Sequence, residues 1–176
     1  MVQIRHERSE DQPSIELLLD VAFGRDRHRK TSYRYRNGVA PDHRLSMVAE
    51  DHEGDLIGTI RYWPIGLRRD DDENGRALLL GPLAIRPDLH GRGIGRALVF
   101  TTLDAATALG HHLVLLVGDA EYYGRFGFET APPHLVMPGE KPERLQYRIL
   151  DGGALAAPHT TLVPWNEAAG VQPAAA

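Results

Sequence analysis

The sequence predicts one α/β domain built on a mixed, twisted sheet, and three observations predict it. An apolar strand (77–86), a helical stretch (95–109) and a second apolar strand (112–117) follow one another within about 40 residues, which is a βαβ crossover with parallel strands. Ahead of them, LSMVAE (45–50) and LIGTIRYW (56–63) flank DHEGD, whose Gly and Asp suit a tight hairpin turn. At 176 residues the chain has the length of one domain, read as residues 1–164 with 165–176 as a flexible tail.

Residues 2–5 alternate and predict a short strand. Asp11 precedes Pro13, and Ile15, Leu18, Leu19 and Ala22 recur at helical spacing, so an amphipathic helix starts there. Residues 25–36 hold five Arg and one Lys against one Asp and lack a wide apolar stripe, which predicts an exposed helix or loop. RRDDDENGR (68–76) reads as an exposed loop. ALLLGPLAIRP (77–87) is apolar enough to be covered on both faces, and Gly81-Pro82 in mid-run marks a bulge. Leu98, Thr102, Ala105, Ala106 and Leu109 trace the buried face of the next helix, which Gly110 stops. A short helix (120–126), a strand from Phe128 and a strand at 145–150 complete the order.

Composition narrows the function. Hydrophobic residues at 42% and charged residues at 25% are ordinary for a globular domain, and a net charge of −4 argues against a dedicated nucleic-acid binder. With no Cys, disulfides, thiolate metal sites and a cysteine nucleophile are excluded together. The apolar run 77–85 falls far short of the ~18 residues a membrane span needs. Charges in MVQIRHERSEDQPS stand where a secretory signal would be apolar, so a cytoplasmic protein is expected. No H-E-x-x-H occurs and the adjacent His111 and His112 point to opposite faces of a strand, so no metal is expected.

The segment richest in chemistry is PDLHGRGIGRAL (87–98), between a buried strand and a helix. Gly91, Gly93 and Gly95 remove three side chains at a helix N-terminus and leave backbone N–H groups free to surround an anionic diphosphate, with Arg92 and Arg96 nearby. A purely structural glycine turn is the competing reading. The dinucleotide pattern G-x-G-x-x-G fails from either glycine, and no G-K-[ST] occurs for a P-loop.

His90-Gly91-Arg92-Gly93-Ile94-Gly95 resembles the coenzyme A motif [QR]-x-x-G-x-[GA] of the GCN5-related N-acetyltransferase (GNAT) superfamily, with His90 where Gln or Arg is usual. Tyr123-Gly124-Arg125-Phe126-Gly127-Phe128 resembles that family's Y-x-x-x-G-F segment, in the right order. The likeness runs from about residue 2 to 131 and, in wording such as LGPLAIRP and GDAEYYGRFGF, is similar to an uncharacterised bacterial branch of predicted acetyltransferases. The resemblance implies the acyl-CoA N-acyltransferase fold and acetyl transfer from acetyl-CoA to a small-molecule or protein amine by direct attack in a ternary complex.

The resemblance also implies the roles. Leu83, Ala84 and Ile85 would hydrogen-bond the pantetheine where the parallel strands part, and a backbone N–H at the bulge, that of Leu83, would polarise the thioester carbonyl. His90, Gly91, Arg92, Gly93, Ile94, Gly95 and Arg96 would hold the diphosphate. Tyr123 is the matched position for the general acid and a further cofactor contact, with Tyr122 its rival and simple packing the alternative for both. The Asn that many relatives carry shortly before this Tyr is absent from Leu116-Val117-Gly118-Asp119. Glu50 is the candidate base, with Asp51, His52 and Glu53 beside it, and plain turn charge is the simpler reading of all four. An inactive acyl-CoA-binding sensor is the alternative function. RNA binding through Tyr33, Tyr35 and the arginines of 25–36 is a third reading, and a solvated flank of the acceptor site, its charge suited to an acidic acceptor, is preferred to it. Related folds often pair through C-terminal strands, so a homodimer is among the expected partners.

Overall fold

Alternating side chains at Gln3–His6 form β1, which pairs antiparallel with β2 (Met47–Glu50), and β2 pairs antiparallel with β3 (Leu56–Arg69). β4 (Gly75–Ile85) follows, then helix, β5 (Leu113–Val117) and a parallel β4–β5 ladder, as the crossover required. The computed structural model describes residues 2–71, 74–153, 155 and 158–167. These fall into two compact units. Residues up to Lys30, with Pro41–Tyr62 and Leu80–Gly110, form the first; Thr31–Ala40, Trp63–Leu79 and the described residues from His111 onward form the second.

In the first unit the strand order is β1-β2-β3-β4. Helix α1 (Gln12–Phe23) buries Ile15, Leu18 and Leu19 against Val48 and Ala84, the face that its apolar spacing predicted. The longer crossover helix, Ile94–Ala108, buries Leu98, Val99, Thr102, Leu103 and Ala106, while Leu109 lies past its end and is exposed. Thr102 Oγ1 donates to the Leu98 carbonyl at 2.8 Å, which leaves its oxygen to accept from the buried Tyr62 hydroxyl at 2.9 Å. Gly58 has no room for a side chain, because a Cβ there would lie 2.9 Å from Ile85 Cδ1 and 3.2 Å from Leu98 Cδ1.

Ion pairs lock the edges of this unit. Arg5 reaches both Asp11 oxygens, at 2.7 and 2.8 Å, and also Glu50. Arg61 binds Glu7 and Gln12. The expectation that 25–36 is an exposed segment is corrected at two positions. Arg27, in a 3-10 turn (Arg25–Arg29), is 2% exposed and pairs with Glu16 and Asp20, four residues apart on α1.

The second correction is Tyr35, which lies in the second unit just after α2 (Thr31–Arg34). It is fully buried and its hydroxyl donates to the Leu162 carbonyl, so it has no face to offer a nucleic-acid base. The strand order here is β3-β4-β5-β8-β6, where β6 is Glu129–Thr130 and β8 is Leu145–Ile149. Between β5 and β6 stands the short helix α4 (Ala120–Gly124), the crossover helix of the first unit being α3. β9 (Thr160–Pro164) runs antiparallel to β3 from Ile65 to Arg69 and parallel to β7 (Leu135–Val136). This pairing corrects the exposed loop expected at 68–76: Arg68 and Arg69 still belong to β3 and Gly75 already to β4. Polar residues there hid a ladder whose partner lies some ninety residues away. Tyr35, Ile65, Leu79, Leu115, Leu135 and Leu162 centre the core. Trp165–Glu167 is a 3-10 turn, and the rest of the expected tail, 168–176, lies outside the described residues. Among the described residues no helix is long and apolar enough to cross a membrane.

Two stability effects follow. Arg27→Ala strips two partly exposed carboxylates of a buried partner and is expected to cost about 2 kcal/mol, or roughly 4–8 °C in Tm, while Arg27→Met keeps the packing and costs about half as much. Equal losses in a thermal melt would mean that the ion pairs alone matter and the packing does not. Asp11 is held below the usual carboxylate range, first by the Arg5 hydrogen bond and also by the Arg8 N–H. A depressed folded value means that this stabilisation is complete above about pH 4 and is lost as pH falls through the folded value. Denaturant titrations from pH 7 to pH 3 should therefore show Asp11→Asn less stable at pH 7 and less sensitive to acid than the parent.

Candidate active site

β4 carries the first group of residues. Gly81 adopts φ +125°, a torsion that favours glycine, and the Gly81–Pro82 peptide is cis. The ladder to β5 consists of Leu78–Val114 and Leu79–Leu115 and ends two residues before Gly81. Beyond it, Ala84 is buried against Ile15, Leu18 and Leu19 of α1, while Leu83 and Ile85, on the opposite face of the pleat, are half-buried. The Arg86 N–H, just past the strand, donates to the Ile57 carbonyl at 2.8 Å.

The glycine turn follows a 3-10 turn at Pro87–Leu89. Gly91 and Gly93 take φ +78° and +81°, and a Cβ at either would meet nothing within 4 Å. Torsion therefore demands these glycines, not crowding, and the space above the turn is open. Gly93 is the N-cap of α3 and supplies no side-chain cap, so the first-turn amides of a 15-residue helix lack an intrahelical partner. Ile94 and Gly95 are buried and anchor the helix start; Arg92 and Arg96 are exposed, with the Arg96 guanidinium 5.5 Å from the Phe100 ring centroid. His90 is exposed, and its Nε2 lies 3.1 Å from the Ile85 carbonyl as donor, which ties the turn back to β4. Free amides, the positive end of a helix dipole and two exposed guanidinium groups fit an anionic diphosphate.

Tyr123 belongs to the second unit. Asp119 caps α4, its carboxylate accepting the Tyr122 N–H at 2.7 Å, and the resulting turn sets both tyrosines. The Tyr123 ring packs on Phe126 and Phe128, with centroids 6.2 and 6.0 Å away, and lies flat against Gly118. A Cβ at Gly118 would come within 2.4 Å of Tyr123 Cε2. Gly118 and Asp119 are thus positioning residues that the sequence reading passed over; a glycine closing a five-residue apolar strand, one step before a helix cap, was the available signal. Burial pushes the Tyr123 phenol well above its ordinary value, and among the described residues its hydroxyl has no hydrogen-bond partner, so it stays protonated and available to donate. Tyr122 is stacked under Arg125 at 5.0 Å.

Glu50 ends β2 in the first unit, where Arg5 holds its Oε1. Asp51 accepts the Glu53 and Asp55 N–H groups, each at 3.0 Å, and so serves as the hinge of the β2–β3 turn. The structure therefore brings together Leu83–Ile85 and the glycine turn through His90, and leaves Glu50 in a separate ion-pair cluster.

Known proteins share this fold. The acetyltransferase (GNAT) family model matches residues 3–128. The uncharacterised N-acetyltransferase YhbS of Escherichia coli is 34% identical over 132 residues, covering 74% of this chain and 75% of its own. Its crystal structure in complex with CoA superposes with a TM-score of 0.70 at 32% identity, over 84% of this chain and 81% of that one. A GNAT acetyltransferase from Brucella melitensis in complex with acetyl-CoA superposes with a TM-score of 0.65 at 24% identity, over 92% and 94%, which shows the shared fold. A family match that takes in both the glycine turn and the tyrosine segment means that this chain belongs to the GNAT family of acetyltransferases.

Proposed function

We propose that this GNAT protein transfers the acetyl group of acetyl-CoA to a primary amine by direct attack in a ternary complex. The observation that carries the reading is the uncapped start of α3 above Gly91 and Gly93, in a chain about one-third identical to an N-acetyltransferase crystallised with CoA. In this reading the amides of Gly91–Arg96, with Arg92, hold the diphosphate, and Leu83–Ile85 offer backbone groups to the pantetheine. The Leu83 N–H polarises the thioester carbonyl. The amine lone pair forms the new C–N bond, the C–S bond breaks, and Tyr123 gives its phenolic proton to the departing thiolate. Glu50, oriented by Arg5 at one oxygen, accepts the proton that the amine loses through the other. The absence of Cys supports direct transfer, because no acetyl-cysteine intermediate can form. We place the reaction in the cytoplasm of a bacterium, consistent with the bacterial relatives.

At about 100 times its dissociation constant, acetyl-CoA should raise the melting temperature by roughly 5–11 °C, with CoA acting likewise and ATP and NAD not. No rise with either CoA species would remove the reading. Tyr123→Phe should lower kcat by about 10²-fold or more with the CoA-induced shift intact. A parent protein that binds CoA yet acetylates no amine would instead be a sensor. Gly118→Ala should act through the same phenol: the added methyl displaces the ring, and kcat falls at least about tenfold while CoA affinity holds. Unchanged turnover in Tyr123→Phe would exclude Tyr123 as the acid.

A further inference from the structure

A cavity of about 420 Å³ opens in the second unit, and its entire lining comes from one run of chain, Thr130 to Leu145. Its floor is apolar: Leu135, Met137 and Leu145 are each under 5% exposed. Two carboxylates, Glu140 and Glu143, stand against one ammonium, Lys141, among its polar lining. The volume equals about fourteen waters' share of liquid and lies in the range of small-molecule sites.

The cavity is preformed. The Ala131 N–H donates to the Leu145 carbonyl at 2.8 Å, and the Leu135 N–H to the Pro132 carbonyl at 2.9 Å. Gln146, fully buried, ties both sides of the mouth, accepting from Thr130 Oγ1 at 3.3 Å and donating to the Glu143 carbonyl at 2.9 Å. From α2, Thr31 Oγ1 donates to the Gly139 carbonyl and Arg34 to that of Pro138, at 3.0 and 3.1 Å. Such bracing around an apolar hollow is what a ligand site needs, since little ordering entropy is left to lose on binding.

Its position ties it to the chemistry. Leu145 is both a wall of the cavity and the ladder partner of Val117 on β5, and the Gly118 N–H donates to the Arg144 carbonyl at 2.9 Å. Gly118 is the residue against which the Tyr123 ring lies. The wall of the cavity and the seat of the phenol are thus neighbours on two paired strands. The lining also falls outside residues 3–128, the part matched by the family model.

We infer that this cavity receives the acceptor, and that the acceptor is a primary amine with an apolar body, such as an arylalkyl or alkyl amine. The apolar body lies on Leu135, Met137 and Leu145, and the excess carboxylate charge at Glu140 and Glu143 draws in the ammonium before it is deprotonated for attack. The inference rests on the transferase reading above. It runs against the acidic acceptor that the basic segment 25–36 suggested, where Arg27 is already spent on Glu16 and Asp20.

The test is calorimetric titration of 2-phenylethylamine, ethanolamine and the anionic amine taurine into the full-length protein, with and without CoA. The parent should bind 2-phenylethylamine at least about tenfold more tightly than either polar amine, in one or both conditions. Val136→Phe, which fills the cavity, should weaken that binding at least about tenfold, with the CoA-induced thermal shift retained. Glu143→Gln, at an exposed position that threatens no fold, should weaken it about threefold. Equal binding of all three amines, a preference for taurine, or undiminished binding by a folded Val136→Phe variant together with an unaffected Glu143→Gln variant would overturn the assignment. The two readings fail separately. Amine binding without any CoA-induced shift would sink the transferase reading and leave the cavity an amine site, whereas acetylation of 2-phenylethylamine unaffected by either variant would sink the cavity and leave the transferase.

Discussion

Backbone N–H groups that the protein leaves unpaired at the start of α3 are the constraint on which the first unit turns. A helix of 15 residues concentrates partial positive charge at its first turn, and a protein normally quiets that end with a side-chain oxygen. Here Gly93 stands at the cap and Gly91 two residues before it, both in a torsion that a side chain would resist. The chain accepts the entropic cost of these glycines in the unfolded state to keep the helix end bare. His90 keeps the turn in place: by donating to the Ile85 carbonyl it fixes the loop to the strand, where the related motif usually carries Gln or Arg.

Charge pairing organises what surrounds that end. Arg5 joins β1 to Asp11, where α1 begins, and to Glu50, where β2 ends, so one guanidinium sets the mutual positions of three elements. Its planar fork can serve two carboxylates at once, which a lysine could not do with the same geometry. Arg27 plays the same part between its own 3-10 turn and α1. Within the basic segment, Arg27 is the cation that such pairing takes out of solvent.

Much of this was legible from residues alone, and the physical reasons for the rest are specific. Local periodicity announced α1, α3, the hairpin and the strands of the βαβ crossover, because the apolar face and stop signals of each element lie within about twenty residues. The glycine turn and Tyr123 were legible as motifs. β7 and β9 were not: two and five residues long, they owe their existence to partners far away in sequence, and β9 converted an apparently polar loop into the end of β3. Arg27 read as solvent-facing because its partners, Glu16 and Asp20, face it only once the chain has turned at Gly24. Gly118 showed its place, between a strand and a helix cap, but not its reason, which is a ring five residues later that folds back upon it.

The lining of the cavity is drawn from sixteen consecutive residues, Thr130 to Leu145, and not assembled from scattered loops. Its ties to the rest of the second unit combine main-chain bonds, Gly118 to Arg144 and Thr160 to His134, with the side chains of Thr31, Arg34 and Gln146. Substitutions at lining positions that face the hollow, such as Val136 or Met137, can therefore reshape it while the main-chain bonds of Gly118 and Thr160 persist. Under the acceptor assignment proposed above, this contiguity means that a change of acceptor needs the exchange of one short segment and not the coordinated change of several loops.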